Sequence, residues 1–74
     1  MIVDLHGLSH ECASEKVIRV IEHNLHHETI LTFVTGNSMR MKEIVRDTAI
    51  NYGLSYNELV STETSITTDG RNSQ

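Results

Sequence analysis

Apolar residues recur along two segments of the chain at the three-to-four-residue spacing that is typical of amphipathic helices. The first segment has its stripe at Ala13, Val17, Val20, Ile21 and Leu25, and the second has its stripe at Met41, Ile44, Val45, Thr48, Ala49 and Tyr52. Ser9 is a suitable N-cap for a first helix that begins at His10, and Asn37 or Ser38 is suitable for the second. Gly53 is well placed to end the second helix as its C′ residue.

Short β-prone runs precede and separate the two predicted helices. Residues 2–6 lead into a glycine, and residues 29–35, which are rich in β-branched and aromatic side chains, end at Gly36. We expect the second of these runs to be a central strand of a sheet. Residues 54–60 and 64–68 are also β-prone, but neither run has a strong apolar face, so they predict weaker strands.

The order strand, helix, strand, helix favours a right-handed βαβ crossover and a parallel central pair of strands. The predicted fold class is α/β, a small two-layer βαβα(ββ) sandwich with a mixed sheet and two helices. A chain of 74 residues has the length of one domain. We expect that domain to span residues 1–68 and residues 69–74 to be a disordered C-terminal tail.

Composition limits the classes of function for which the chain is suited. Its 38% hydrophobic and 22% charged residues are typical of a globular protein. Cys12 is the one cysteine, which indicates a reducing compartment and predicts a cytoplasmic protein, and we expect its side chain to be buried or half-buried. The longest apolar stretch, residues 30–34, is far shorter than the roughly 18 residues that span a bilayer. No membrane role is therefore expected.

The tetrapeptide from Asp4 to Gly7 contains the first candidate chemistry. Asp4 and His6 are two residues apart, so on a strand their side chains share one face. In one interpretation His6 is a general acid or base, because imidazole exchanges protons near neutral pH, and Asp4 orients it. In the other interpretation the two residues form a hydrogen-bonded structural pair that closes the turn. Both residues are expected at the carboxyl ends of the strands, where open α/β sheets bind ligands.

The segment from Thr35 to Ser38 contains the second candidate chemistry. It joins a predicted strand to a helix N-terminus, where free backbone N–H groups and the positive end of the helix dipole can bind a phosphate. Arg40, Lys42 and Arg46 follow and comprise half of the six basic residues, which indicates a local positive field in a chain whose net charge is −4. An ordinary N-cap followed by a solvated helix face is the alternative interpretation.

In combination, these motifs resemble the Smr (small MutS-related) domain family. The pattern of that family is an Asp-Leu-His-Gly strand end, a helix that opens with Ser or Thr and acidic residues, a strand that ends in Thr-Gly-x-Gly, and a second helix. Residues 4–13 follow the first half of this pattern, and residues 33–36 with Lys42 and Val45 follow the second half. The resemblance covers residues 2–68.

The resemblance implies nucleic-acid binding and endonuclease activity on RNA or DNA, with Asp4 and His6 as catalytic residues and the glycine loop as a binding element. The predicted nucleic-acid-binding residues in and around this loop are Gly7, Thr35, Gly36, Asn37, Ser38, Arg40 and Lys42. Asn37 and Ser38 stand where the family has its second loop glycine. This departure and the acidic net charge favour an alternative, a non-catalytic module that binds RNA, DNA or a ribonucleoprotein. A domain that keeps only the fold and binds another protein is a third hypothesis.

Neither a metal site nor a cofactor is predicted. His23, His26 and His27 lie near Glu22, and histidines four residues apart on a helix can chelate a metal, but a closing ligand on another element is missing. We expect these histidines to be solvated at the end of the first helix, where they interact favourably with its dipole. The expected partners are a nucleic acid and, because the chain is small, a larger protein or ribonucleoprotein assembly.

Overall fold

The structure, a computed structural model, describes residues 1–70. Its elements follow the order β1 (Ile2–Asp4), α1 (His10–Asn24), β2 (Glu28–Val34), α2 (Met39–Asn51), β3 (Ser55–Val60) and β4 (Glu63–Asp69). The two helices pack on one face of a four-stranded mixed sheet. This arrangement confirms the predicted two-layer α/β sandwich.

Both helices begin at serines that the sequence predicts as N-caps. The Ser9 side chain accepts a hydrogen bond from the backbone N–H of Cys12, and the Ser38 side chain accepts one from the backbone N–H of Met41, each at 3.1 Å. Each cap therefore satisfies one of the N–H groups that the first helical turn leaves without a carbonyl partner. At the other end of α2, Gly53 has a φ of 69°, the left-handed conformation of a C′ glycine.

The two predicted apolar stripes form most of the core. The buried apolar residues are Val3, Leu5, Ala13, Val17, Ile21, Leu31, Phe33, Met41, Ile44, Val45, Ala49, Leu54 and Ile66. Removal of this apolar surface from water is the dominant stabilising contribution to a fold of this kind. Cys12 is exposed, so the expectation that it is buried or half-buried is wrong. Its side chain projects about 100° away from that of Ala13, outside the buried stripe.

The strands of the sheet follow the order β1-β2-β4-β3. β1 and β2 are parallel, as a βαβ crossover predicts, whereas β4 is antiparallel to both β2 and β3. β2 is a central strand, as expected. The prediction of a parallel central pair is wrong, because β1 lies at the edge of the sheet and β4 lies on the other side of β2.

β4 is a central strand although most of its residues are threonine or serine. Its alternate residues Thr64, Ile66 and Thr68 are fully buried. The Thr68 hydroxyl donates a hydrogen bond to the carbonyl of His27 and accepts one from the backbone N–H of Thr29 at 3.0 Å. β-branched side chains suit a pleated surface, and hydrogen bonds of this kind offset the loss of water around a buried hydroxyl.

Within residues 1–70 the second face of the sheet carries no helix, and Ile2 and Ile30 are exposed there. Neither described helix is long and apolar enough to cross a membrane. β4 continues through Asp69, which pairs with Glu28, so this strand runs one residue past the predicted domain boundary. Of the predicted tail, residues 71–74 lie outside the described residues.

Candidate functional site

The two predicted motifs meet at one end of the sheet. Asp4 pairs with Val34 in the parallel ladder, and the backbone N–H of Leu5 donates a hydrogen bond to the carbonyl of Val34 at 2.9 Å. These contacts hold the carboxyl ends of β1 and β2 side by side. The loops that follow the two strands, residues 6–9 and 35–38, therefore border one surface, where α/β sheets commonly bind ligands.

Asp4 and His6 form a turn at the end of β1. The Asp4 carboxylate accepts a hydrogen bond from the backbone N–H of His6 at 2.8 Å. The backbone N–H of Leu8 donates to the carbonyl of Leu5 at 3.1 Å, and Gly7 has a φ of 86°. Asp4 and His6 are both exposed, whereas Leu5 between them is buried. Asp4 thus makes the turn-closing contact, and within residues 1–70 no hydrogen bond joins its carboxylate to the His6 ring.

The imidazole of His6 lies against the backbone of Gly36. A Cβ placed on Gly36 would be 3.6 Å from Cδ2 of the ring, an ordinary van der Waals distance. Gly36 has a φ of 65°, so its left-handed backbone turns the chain away from β2. Because His6 is exposed, its ring can contact a ligand that binds at this loop.

The carbonyl of Thr62, in the turn between β3 and β4, holds the glycine loop in place. It accepts hydrogen bonds from the backbone N–H of Thr35 at 2.8 Å and that of Gly36 at 3.2 Å. The Thr35 hydroxyl lies 3.3 Å from the same carbonyl and 3.0 Å from the carbonyl of Gly36. Thr35 is 2% exposed. Both of these backbone N–H groups are therefore occupied, and Thr35 supports the loop from the interior.

Asn37 and Ser38 form the part of the loop that leads into α2. Asn37 is exposed and its φ is not positive, so Gly36 is the left-handed residue of this turn. The N–H groups of Met39 and Arg40, in the first turn of α2, have no carbonyl partner within the helix. These two N–H groups and the positive end of the helix dipole are the part of the loop that is best suited to an anion.

The basic residues of α2 lie on two flanks of the helix. At about 100° per residue, Lys42 is roughly 200° from Arg40 but only about 40° from Arg46. Arg40 lines a groove between α1 and α2 together with Asp47, and it forms an ion pair with Glu43 at 3.3 Å. Arg46 pairs with Asp47 at 3.5 Å, and Lys42 forms no ion pair within residues 1–70. The positive field that the sequence predicts is thus divided between the two flanks.

Glu63 is a neighbour of the site that sequence reasoning missed. It pairs with Val34 from β4, while Asp4 pairs with Val34 from β1. Directly paired residues share one face of a sheet, so two carboxylates flank Val34 on the face opposite the helices. Their negative charges disfavour a phosphate on that face. Sequence reasoning had no signal for this contact, because it depends on the pairing register of β4.

The described residues contain no group of three side chains that could hold a metal ion. α1 ends at Asn24, so His23 lies in the helix whereas His26 and His27 lie in the loop that follows it. The four-residue spacing from His23 to His27 therefore does not place the two rings on one helical face.

Comparison with known proteins leaves the site to be interpreted from its own residues. The chain matches no family model, no curated protein and no solved structure.

Proposed function

We propose that this chain is an Smr-like nucleic-acid-binding domain that cleaves RNA or DNA through His6. The observation that carries the proposal is that the exposed His6 ring lies against the Gly36 loop. A Cβ placed on Gly36 would be 3.6 Å from Cδ2 of the ring. A phosphate bound at the start of α2 would lie beside this ring. Arg40 or Lys42, from the first turns of the same helix, supplies the positive charge that phosphate binding requires.

On RNA, the proposed reaction is an internal transfer. His6 removes the proton of a 2′-hydroxyl, and the resulting oxygen attacks the neighbouring phosphorus. The bond between phosphorus and the 5′-oxygen breaks, and that oxygen takes a proton from water. The products are a 2′,3′-cyclic phosphate and a 5′-hydroxyl. On DNA, which has no 2′-hydroxyl, His6 instead removes a proton from a water molecule, whose oxygen attacks the phosphorus. One ester bond from phosphorus to a sugar oxygen breaks, and that oxygen takes a proton from water and leaves as a hydroxyl.

Asp4 acts through the backbone in this proposal. Its carboxylate accepts the N–H of His6 at 2.8 Å, and a local side-chain-to-backbone hydrogen bond of this kind fixes the turn that presents the imidazole. We therefore assign Asp4 as a positioning residue. The alternative, a carboxylate that polarises the ring directly, requires a hydrogen bond that residues 1–70 do not contain.

A non-catalytic module that binds RNA, DNA or a ribonucleoprotein is the second candidate. It is favoured by the occupied N–H groups of Thr35 and Gly36, which both donate to Thr62. Cleavage is accelerated by hydrogen-bond donors that are free to stabilise the negative charge of the transition state. Binding alone needs only the start of α2 and a nearby basic side chain.

Incubation of the purified chain with labelled single-stranded RNA, structured RNA and duplex DNA tests the proposal, and parallel lanes with a chelator report whether a divalent ion takes part. We expect product in at least one lane, formed about 10²- to 10⁴-fold more slowly with His6→Ala. Binding without product in every lane would support the non-catalytic module. Absence of both binding and product would contradict both functions.

A further inference from the structure

The two flanks of α2 differ in charge. The flank towards α1 carries Arg40 and Asp47, which line the groove, and Glu43, which pairs with Arg40. The other flank carries Lys42 and Arg46, which lie about 40° apart around the helix axis. Both carboxylates of α2 project roughly 60° or more beyond Arg46, in the direction of α1. The helix therefore presents one cation with two carboxylates on one side and two cations on the other.

The packing of α2 determines what the second flank faces. α2 contacts α1 on one side and β3 on the other, and β3 is an edge strand of the sheet. Burial and the charge of Glu58 raise the pKa of Tyr56 in β3, whereas the Thr64 side chain and, after it, the positive charge of Arg46 lower it, so Arg46 is close enough for its charge to act on the phenol. We call the surface formed by Lys42, Arg46 and Tyr56 the β3 flank.

The paths along which a polyanion can extend from the His6–Gly36 site also differ in the charges of the side chains that line them. On the open face of the sheet it meets Asp4 and Glu63, which pair on either side of Val34. Along the groove beside α1 it meets one cation, Arg40, which is already paired with Glu43, and the carboxylate of Asp47. Along the β3 flank it meets two cations and the carboxylate of Glu58. Arg46 also pairs with Asp47 at 3.5 Å, whereas Lys42 is not engaged in an ion pair within residues 1–70.

We propose that a single-stranded nucleic acid bound at the His6–Gly36 site continues along the β3 flank, with Lys42 and Arg46 contacting phosphates of neighbouring nucleotides. These two residues are about 6 Å apart along the helix axis, which is close to the spacing of neighbouring phosphates on one extended strand. The half-buried ring of Tyr56 packs against the core and lies near Arg46, and a cation beside an aromatic ring is typical of single-strand binding. The inference rests on the proposed function and narrows the substrate of that function to a single-stranded nucleic acid.

The second strand of a duplex would need a second row of basic residues. Within residues 1–70, the surfaces on either side of Lys42 and Arg46 instead carry Asp47 and Glu58. Charge complementarity therefore favours one strand over two.

The test compares two double variants that remove the same charge. Lys42→Ala/Arg46→Ala changes the β3 flank, and Lys16→Ala/Arg19→Ala removes two exposed cations of α1. Fluorescence anisotropy with a short fluorescein-labelled oligouridine is measured over a range of NaCl concentrations. We expect the first variant to weaken binding and to reduce the slope of log K against log salt by about 1.4, since each phosphate contact on a single strand contributes about 0.7. The α1 variant should keep the parent slope.

Two results would overturn the β3 flank as the path while leaving the proposed function in place. One is an equal salt slope for the two double variants, and the other is a larger loss of slope with Arg40→Ala than with Lys42→Ala/Arg46→Ala. Failure of the parent protein to bind oligouridine, other RNA or DNA would instead overturn the proposed function itself. Thermal unfolding of each variant checks that it is folded, and Lys42→Gln/Arg46→Gln, which retains the length of the side chains, replaces the alanine variant if that variant unfolds.

Discussion

The carbonyl oxygen of Thr62 accepts a hydrogen bond from the backbone N–H of Thr35 at 2.8 Å and lies 3.3 Å from the Thr35 hydroxyl. Through these contacts the turn between β3 and β4 fixes the loop that lies beside His6. The site at the ends of β1 and β2 thus depends on a hairpin that is distant in sequence.

Thr35→Val and Thr35→Ser separate loop support from general stability. Valine removes the hydroxyl and keeps the buried shape, whereas serine keeps the hydroxyl and removes a methyl group. Each variant should lose about 1 kcal/mol of unfolding free energy. Only valine removes the hydroxyl contacts that support the Gly36 loop. Nucleic-acid affinity should therefore fall with Thr35→Val and persist with Thr35→Ser. Urea unfolding and anisotropy on the same preparations measure both quantities, and equal affinities would contradict the supporting role of the hydroxyl.

Gly36→Ala should disturb the site beyond its effect on the fold. Gly36 and Gly53 have φ values of 65° and 69°, and a left-handed residue with a Cβ costs about 1–2 kcal/mol. Both alanine variants should therefore lose similar stability. A shift of the strained residue at position 36 would move the loop that the His6 ring contacts, since a Cβ there would lie 3.6 Å from the ring, so only Gly36→Ala should also reduce cleavage by the folded fraction. Equal activity of the two variants would place the site away from Gly36.

Asp4→Asn and Asp4→Ala test the positioning role of Asp4. Asparagine retains an oxygen that can accept the His6 N–H, so Asp4→Asn should keep stability within about 0.5 kcal/mol and keep most of the cleavage rate. Alanine removes the acceptor and should cost about 1 kcal/mol. A folded Asp4→Asn protein with a large loss of cleavage would show that the negative charge acts on the His6 ring.

The helices and the junction of the two motifs could be predicted from the sequence because their determinants are local. Ser9 and Ser38 cap helices within three residues of themselves, and the apolar repeat marks the buried face of each helix. The separation of Arg40 from Lys42 was also predictable, since residues two apart on a helix project in nearly opposite directions.

The role of β4 could not be predicted in this way. Thr64 and Thr68 are buried because β4 inserts between β2 and β3, and the pattern of apolar residues within the strand does not indicate that position. The contacts of Thr62 and Glu63 with the site follow from the same pairing. Long-range register therefore determined the part of the site that sequence reasoning missed.

Tyr52→Phe should lose stability in a pH-dependent way. The Tyr52 hydroxyl donates to the Glu22 carboxylate at 2.8 Å, and this hydrogen bond, followed by burial and the charge of Glu22, raises the pKa of Tyr52 above 10.0. The contribution is therefore fully present below pH 10.0 and is lost as the pH rises through the raised pKa.

At neutral pH the loss should be about 0.5–1 kcal/mol, because the hydrogen bond joins groups near the surface. Urea unfolding of parent and variant at neutral pH and above pH 10.0 measures the difference. A difference that stays constant across this interval would show that the ionisation of Tyr52 is not linked to folding.

The most direct measurement is the rate of RNA cleavage by His6→Ala, with melting temperature and RNA affinity determined on the same preparation. We expect a folded protein that binds RNA with the affinity of the parent and cleaves it about 10²- to 10⁴-fold more slowly, the range for loss of a general acid or base. His6 is exposed, so its replacement should leave the core intact. A folded, RNA-binding His6→Ala protein that cleaves at the rate of the parent would show that His6 is not the general base.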